Sequence, residues 1–281
     1  MAGSSLLKRT LTSVLLVVVL VGCLLLHPLC YAALFAAALA VMMNEFYRMA
    51  IGRGTHTAVR IMMIVLCVGF FLAFVLFRIY HIDMNYLLLA FPLLVVVLIA
   101  VILDREQRID RLTAQDICFP LVYFLPSFLI SSILLLGPDG AYSPDLFIAV
   151  MVLVWMGDVG AYATGMAFGQ RKNSRKLAPT ISPNKSWAGA IGGVVFTVVT
   201  AICVHLLGIF SLKLWQWIVT ALIVAVFGVF GDLFESLIKR HYGVKDAGNI
   251  LAGHGGLLDR FDGALFAIPI VTVFLLLTGS I

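Results

Sequence analysis

Nine long apolar runs, separated by short polar segments, constrain this chain more than any other feature. An apolar helix of about 20 residues spans the hydrocarbon core of a bilayer and satisfies its own backbone hydrogen bonds. With 62% hydrophobic and 12% charged residues, the chain has too much apolar surface for a water-soluble domain. The pattern predicts an all-α polytopic membrane protein with about nine transmembrane helices. The runs are Leu11–Leu26, Leu29–Met49, Thr57–Ile79, Asn85–Leu103, Ile117–Leu136, Leu146–Phe168, Trp187–Phe210, Leu214–Ile238 and Phe261–Thr278.

The lysines and arginines between the runs predict the orientation of the chain. With the N-terminus in the cytoplasm, 17 of the 19 Lys and Arg residues fall in cytoplasmic segments, and only Arg78 and Lys213 do not. Positive residues favour the cytoplasmic side, so the C-terminus is expected outside. This basic surface lies beside the membrane and suits anionic headgroups or phosphates, not nucleic acid. Lys8 and Arg9 before the first run also resemble a signal peptide, but no convincing small-residue cleavage site follows them.

Polar residues divide the chain into a predicted scaffold half, residues 1–140, and a predicted catalytic half, residues 141–281. The runs of the first half hold almost no ionisable groups. Glu45 is the exception, and its spacing from Arg48 predicts an ion pair between neighbouring turns of one helix. The five cysteines are scattered through the apolar runs, which indicates core packing rather than a zinc site or a disulfide framework.

The stretch "FGDLFES" places two carboxylates at the end of an apolar run. Asp232, Glu235 and Ser236 are three and four residues apart, so they share one helical face. Carboxylates beside the hydrocarbon are costly unless they are paired or bind a metal. One interpretation is an internal ion pair with Lys239 or Arg240, and the other is a metal site.

A second carboxylate pair, in "LLDRFDG", begins the last run. Asp259 and Asp262 share one helical face, and Arg260 is displaced to the side. The dipole of a helix favours carboxylates at its N-terminus, which is a structural explanation for the pair. Mg²⁺ also takes one or two carboxylates, together with waters and substrate phosphates.

The glycine-rich stretch "GHGG" comes directly before this second pair. Gly255 and Gly256 permit close backbone approach, and N–H groups before a helix can cradle a phosphate. His254 could bind a phosphate oxygen or transfer a proton. Lys245 and Asp246 precede the glycines, which strengthens the interpretation as a phosphate site.

The stretch "SPNKSWAG" precedes another run. Ser182 is expected to cap a helix there, Pro183 suits a first helical position, and Lys185 and Ser186 follow. Asp158 lies inside a run with no cation nearby in sequence, which marks it as a functional candidate. A basic loop separates these two features, and its charges are also what the positive-inside pattern predicts: Arg171, Lys172, Arg175 and Lys176.

These polar stretches together predict a site for phosphate chemistry at the membrane surface. Acidic groups suit a divalent metal, basic groups suit phosphates, and the glycine loop permits close approach. This combination is typical of phosphoryl or nucleotidyl transfer to a lipid, in which positioning and charge neutralisation provide the catalysis.

The spacing of the C-terminal motif resembles the signature of the phosphatidate cytidylyltransferases, also called CDP-diacylglycerol synthases. The stretches "GDVGAYATGMAFGQ" and "SPNKSWAG" look like two further blocks of that family in the right order. The resemblance covers roughly residues 150–265, whereas the first half is similar only in its pattern of apolar runs. The motif reads Ser236-x2-Lys239-Arg240-x4-Lys245-Asp246-x-Gly248-x5-His254-Gly255-Gly256-x2-Asp259-Arg260-x-Asp262.

The resemblance implies a reaction, in which CTP and phosphatidate give CDP-diacylglycerol and pyrophosphate. It implies Mg²⁺, with a possible monovalent cation such as K⁺, held on Asp232 and Asp259. It also implies a homodimer in a bacterial-type inner membrane. The expected catalytic residues are Asp232, Lys239, Arg240, Lys245, Asp246, His254, Asp259, Arg260 and Asp262. The expected substrate-binding residues are Asp158, Ser182, Lys185, Ser186, Ser236, Gly255 and Gly256.

The chain departs from the family pattern at three positions. Ala252 stands where the family usually has a proline before "GHGG". Asn184 and Ala188 stand in "SPNKSWAG" where a second lysine and a glutamate are usual. None of the three removes an expected aspartate ligand, but any role of that glutamate carboxylate is lost here.

Two other kinds of membrane protein fit parts of the pattern. The first is an enzyme of related chemistry, such as a CTP-dependent lipid kinase or a cytidylyltransferase for an isoprenoid lipid. The second is a transporter, which would place polar groups near the midplane on paired repeats. The polar groups here gather toward one predicted face and no repeat is visible, which disfavours the transporter.

Overall fold

The computed structural model describes residues 2–52, 56–89, 111–137, 140–171, 174–251 and 255–281. The chain there is mostly helical, as a bilayer requires of backbone that meets lipid. The helices are α1 (Ala2–Leu26), α2 (Pro28–Ala50), α3 (Thr57–Ile79), α4 (Arg111–Val122), α5 (Phe124–Ser132), α6 (Asp145–Thr164), α7 (Trp187–Leu206), α8 (Leu214–His241) and α9 (Leu258–Leu277). A 3₁₀ helix covers Met84–Leu89, a π-helical turn covers Gly165–Gly169, and two strands, β1 (Lys176–Ala178) and β2 (Ser182–Ser186), precede α7.

Seven helical segments of the described residues are long and apolar enough to cross a membrane. This confirms a helical protein that passes the membrane several times. The predicted run Thr57–Ile79 coincides with α3. The apolar part of α1, Thr12–Leu26, is shorter, and most of the predicted run Asn85–Leu103 lies outside the described residues. The seven segments are Pro28–Ala50, Thr57–Ile79, Gln115–Ser132, Asp145–Gly169, Trp187–Leu206, Leu214–His241 and Leu258–Leu277.

The fifth predicted run, Ile117–Leu136, is not one uninterrupted helix. It divides into α4 and α5 at Tyr123, which lies between them in a turn. Pro120 lies inside α4, and a proline there cannot donate the backbone hydrogen bond of a regular helix. The apolar length is therefore kept while the helical hydrogen bonding is interrupted.

The described chain consists of two compact units. The first comprises the described residues of Met1–Ser132, Pro138–Tyr142 and Asp246–Asp259. The second comprises Ile133–Gly137, the described residues of Ser143–Lys245, and Arg260–Ile281. The predicted division into residues 1–140 and 141–281 stays a prediction.

Aromatic side chains form the core of the first unit. Phe46 of α2 stacks on Phe119 of α4 with 4.8 Å between ring centroids. The buried Tyr47 hydroxyl donates to the Ile117 carbonyl at 2.8 Å, which satisfies its polar atom in an apolar setting. The Tyr142 hydroxyl donates to the Leu24 carbonyl at 2.6 Å, and burial raises the pKa of Tyr142. The first two contacts join α2 to α4, and the third joins α1 to the segment before α6.

Small residues allow close helix packing in the second unit. A Cβ atom on Gly192 of α7 would collide with the Thr164 side chain of α6. A Cβ atom on Gly231 of α8 would collide with the backbone carbonyl of Asp262 in α9. Glycines at helix interfaces permit such backbone approach in membranes. The second contact brings the start of α9 against the polar end of α8.

An antiparallel pair of strands separates α6 from α7, and the sequence did not indicate it. Lys176 pairs with Ser186 and Ala178 pairs with Ser182. The expectation that Ser182 caps the following helix is wrong. Ser182 begins β2, and the cap is Ser186, whose hydroxyl accepts from the Gly189 N–H at 3.1 Å. A serine with extended backbone directly before a helix is the usual N-cap geometry.

Candidate active site

An ion pair joins two stretches that are far apart in sequence. The Nζ of Lys185, at the end of β2, lies 2.5 Å from the Oδ2 of Asp232 on α8. The Asp232 side chain is 41% exposed, so water and ligands can reach it, whereas the Nζ atom of Lys185 is buried. The Ser236 hydroxyl lies 3.5 Å from Asp232 Oδ1, which confirms their common helical face. The observed ion-pair partner of Asp232 is thus Lys185, not Lys239 or Arg240.

The next turn of α8 carries a second, more buried ion pair. Lys239 Nζ lies 3.2 Å from Glu235 Oε1, and the Glu235 side chain is only 1% exposed. This pair confirms the interpretation as an internal ion pair with Lys239 for Glu235, whose spacing of four residues lets the two side chains face each other on a helix. Glu235 itself was not among the predicted site residues.

Two further aspartates lie near these pairs. Asp262 of α9 lies beside Glu235 and within electrostatic reach of Asp232. Asp158 of α6 lies within electrostatic reach of Asp232, Lys185 and Arg260. These interactions bring together six predicted site residues and Glu235, from four elements of the second unit. We call the group the charged cluster: Asp158, Lys185, Asp232, Glu235, Lys239, Arg260 and Asp262.

The charged cluster has a donor set that fits Mg²⁺. It combines four carboxylates with three cations, so carboxylate oxygens outnumber the positive groups. Among the described residues, no three His, Cys, Asp or Glu side chains form a ready cage for a metal ion. Mg²⁺ rarely uses such a cage and completes its shell with water and substrate phosphates. The predicted metal ligands Asp232 and Asp259 belong to different units, and their pairing stays a prediction.

We define the glycine loop as the described residues of 246–258, and the carboxylate of Asp259, directly after it, is bonded to the loop backbone. Asp259 Oδ2 accepts from the N–H of Ala247 at 3.0 Å and from the N–H of Gly256 at 2.8 Å. Gly255 has a φ of +83°, which favours glycine. The Gly256 N–H thus already has an acceptor within the chain. The expected phosphate contacts of Gly255 and Gly256 stay predictions.

Glu45 contacts the same loop, which the sequence did not reveal. Its Oε1 accepts from the N–H of Leu257 at 3.0 Å, and its Oε2 accepts from the N–H of Leu258 at 2.9 Å. Arg48 lies within electrostatic reach, but the described hydrogen bonds of the carboxylate go to backbone. The observed partners of Glu45 are therefore backbone groups more than 200 positions away in the sequence, rather than the nearby Arg48.

Three further predicted site residues, Arg240, Lys245 and Asp246, belong to the end of α8 and the segment that follows it. Arg240 Nη1 donates to the Val244 carbonyl at 3.2 Å beyond the end of α8. Lys245 and Asp246 are exposed. His254 and Ala252 lie outside the described residues, so their predicted roles and the effect of the alanine stay predictions.

The basic loop before β1 is partly structural. Lys176 Nζ donates to the Gly169 carbonyl at 3.0 Å at the end of the π-helical turn. The Arg171 guanidinium lies over the Phe168 ring, 5.4 Å from its centroid. Lys172 lies outside the described residues. Lys176 and Arg171, whose charges the positive-inside pattern also explains, therefore stabilise the turn that leads into the strand pair.

The chain is similar in sequence to one family of known proteins. The chain matches the model of the cytidylyltransferase family over residues 7–278. It is 43% identical over 125 residues to a phosphatidate cytidylyltransferase of Staphylococcus haemolyticus, a match that covers 44% of this chain and 46% of the relative. It is 42% identical over 125 residues, with the same coverage, to proteins of the same name from Staphylococcus saprophyticus and Staphylococcus aureus. These matches span about half the length of each relative.

Proposed function

The chain belongs to the cytidylyltransferase family, and from that premise we propose that it transfers the cytidylyl group of CTP to phosphatidate. The products are CDP-diacylglycerol and pyrophosphate, which supply phospholipid biosynthesis. The observation that carries the proposal is the Lys185–Asp232 ion pair, since it unites two separate motifs of the predicted site. The names of the similar staphylococcal proteins support the same substrates.

The proposed reaction is a substitution at phosphorus. A phosphate oxygen of phosphatidate forms a bond to the α-phosphorus of CTP. The bond from that phosphorus to the oxygen bridging to the β-phosphate breaks, and pyrophosphate leaves. A phosphate monoester is largely ionised near neutral pH, so the enzyme needs no strong general base. His254 is then a binding group rather than a base.

The side chains of the charged cluster have distinct parts in this proposal. Lys185, whose Nζ is buried against the accessible Asp232, would offer its charge to substrate phosphates that bind beside this aspartate. Lys239 is held by the buried Glu235, which fixes its position near the cluster. Arg260 adds a third positive charge close to Asp158. Fixed positive groups that face developing charge supply the largest share of catalysis in such reactions.

Mg²⁺ is the proposed metal, with a monovalent cation such as K⁺ as a possible companion. Asp232 would hold it, with Asp158 and Asp262 nearby and Asp259 as the predicted second ligand. When bound, Mg²⁺ neutralises negative charge on the phosphate oxygens. Asp232 is partly exposed, so a metal can reach it without opening a packed core.

The finer topology is also a proposal. We propose nine transmembrane helices with a cytoplasmic N-terminus and an external C-terminus, which the distribution of Lys and Arg supports. We place the protein in a bacterial inner membrane, with phosphatidate drawn from the cytoplasmic leaflet. A homodimer is the proposed assembly, on the resemblance to the family alone.

The proposal is tested by product formation with purified protein. Phosphatidate and CTP are supplied in detergent micelles, and CDP-diacylglycerol is measured by mass spectrometry with and without Mg²⁺. We expect product only with Mg²⁺ and a return to background when the metal is chelated. Absence of product under all ionic conditions, from protein that melts cooperatively, would reject phosphatidate as the acceptor. A lipid kinase would instead phosphorylate its lipid, and a transporter would move substrate into liposomes without CTP turnover.

A further inference from the structure

Glu45 is a buried carboxylate with an unusual pair of partners. The residue is 2% exposed on α2, deep in the first unit. Each of its two oxygens accepts one backbone N–H, from Leu257 and Leu258, at 3.0 and 2.9 Å. Leu258 is the first residue of α9, so Glu45 occupies the position where a helix N-terminus attracts an anion.

The glycines of the loop surround this carboxylate. A Cβ atom on Gly248 would collide with the Glu45 side chain, and its three nearest atoms would all belong to Glu45. A Cβ atom on Gly256 would lie 2.7 Å from Glu45 Oε2 and 2.8 Å from the Gly248 nitrogen. Glycine at these two positions therefore allows the loop to close over Glu45. The loop backbone is shaped around a side chain from the opposite end of the sequence.

The chemistry of the contact requires a carboxylate. A glutamine offers one acceptor oxygen, so one of the two N–H groups would face an amide NH₂ group instead. A buried N–H without an acceptor is unfavourable. The negative charge of Asp259 lies close enough to Glu45 to oppose its charge.

We infer that Glu45 is a positioning residue for the glycine loop. It holds the backbone of Leu257 and Leu258 so that Asp259, on the next residue, keeps its bonds to Ala247 and Gly256. Through these bonds it sets the orientation of the predicted catalytic groups Asp246 and Asp259. This inference rests on the proposed function and gives the first half of the chain a part in it.

The test compares Glu45→Gln and Glu45→Ala with wild type. Asp83→Asn is the control, because it removes an exposed carboxylate of the first unit outside the loop. We expect kcat for CDP-diacylglycerol formation to fall about 10-fold for Gln and about 100-fold for Ala, since small displacements of catalytic groups cost that much. The KM for CTP should change less than kcat, and the control should match wild type.

Hydrogen exchange supplies a readout that does not depend on activity. The amides of Leu257 and Leu258 should exchange faster in both Glu45 variants and remain protected in the Asp83→Asn control. Melting in detergent identifies the folded fraction, and kcat is expressed per folded molecule. If neither Glu45 variant folds, Gly248→Ala is measured in the same way, because it keeps the carboxylate but displaces it.

The outcomes separate this inference from the proposed function. Wild-type protein that makes no CDP-diacylglycerol would reject the proposed function. Active wild-type protein whose folded Glu45→Gln variant keeps the wild-type kcat and KM would reject the inference alone. A lower melting temperature with unchanged kcat would show a purely structural role and would also overturn it. Faster amide exchange with a specific loss in kcat is the result that supports it.

Discussion

The carboxylates of the charged cluster and the carboxylates that bond to the glycine loop are stabilised in different ways. In the charged cluster of the second unit, Asp232 and Glu235 pair with the lysine side chains Lys185 and Lys239. In the first unit, Glu45 and Asp259 accept hydrogen bonds from backbone N–H groups of the loop. Side-chain ion pairs can exchange partners when a metal or a phosphate arrives. Carboxylates bonded to backbone hold a loop in one shape, and we therefore propose that the ion-paired carboxylates bind ligands while those bonded to backbone position the loop.

Asp259 is the most severe test of this comparison, because it is predicted both to bind metal and to hold the loop. Asp259→Asn can keep an amide oxygen at the position of Oδ2, which accepts from both backbone N–H groups, but it removes the charge. We expect kcat to fall about 10³-fold, the scale for loss of a group that stabilises transition-state charge. The assay is CDP-diacylglycerol formation, with melting in detergent as the check on folding.

Full activity in the folded Asp259→Asn variant would contradict any metal role for Asp259. It would leave that carboxylate as a loop anchor only, like Glu45. Asp145→Asn is the matched control, because Asp145 is an exposed aspartate at the start of α6.

A variant of Lys185 tests whether the charged cluster takes part in catalysis. Lys185→Met removes the positive charge while it keeps much of the side-chain volume. We expect kcat to fall roughly 10²-fold, since the phosphates lose a cation and Asp232 loses its partner. Melting should change little, because Asp232 is 41% exposed and water can solvate it.

Lys213→Met is the control for this change, since Lys213 is an exposed lysine directly before α8. If both lysine variants retain wild-type turnover, the Lys185–Asp232 pair is a structural ion pair.

The substitution of Gly248 by alanine is the smallest change that tests the contact between the loop and Glu45. Gly248→Ala adds one methyl group, and the nearest atoms to it belong to Glu45. We expect a loss in kcat of about 3- to 10-fold, because the flexible side chain of Glu45 can move but its hydrogen bonds lengthen. Turnover per folded molecule is the measurement.

The double variant Glu45→Ala with Gly248→Ala shows whether the two residues act through one contact. Its kcat should be no lower than that of Glu45→Ala alone, since the clash then has no partner. Losses that multiply would show that Gly248 acts independently of Glu45.

Sequence predicted the membrane helices well because the bilayer imposes one solution on apolar backbone. The predicted run Thr57–Ile79 has the same bounds as α3. Helical spacing also correctly placed Asp232 and Ser236 on one face of α8. The strand pair before α7 was missed, because Ser182 and Pro183 also satisfy the rules for a helix start. The cap is Ser186 instead.

Contacts between distant segments could not be predicted from local spacing. Lys185 meets Asp232 and Glu45 meets Leu258 only after the helices have packed. For Glu45, a nearer partner was available in Arg48, and helical spacing favoured it. The backbone N–H groups that Glu45 contacts carry no signal in the sequence, because every residue except proline has one.

The position of the label that reaches the lipid tests the proposed function most directly. Purified protein is given phosphatidate, Mg²⁺ and CTP labelled in either the α- or the γ-phosphate. Cytidylyl transfer predicts that α-label enters the lipid as CDP-diacylglycerol and that γ-label leaves as pyrophosphate. Transfer of γ-label to the lipid, with α-label left in CDP, would contradict it and identify a CTP-dependent lipid kinase.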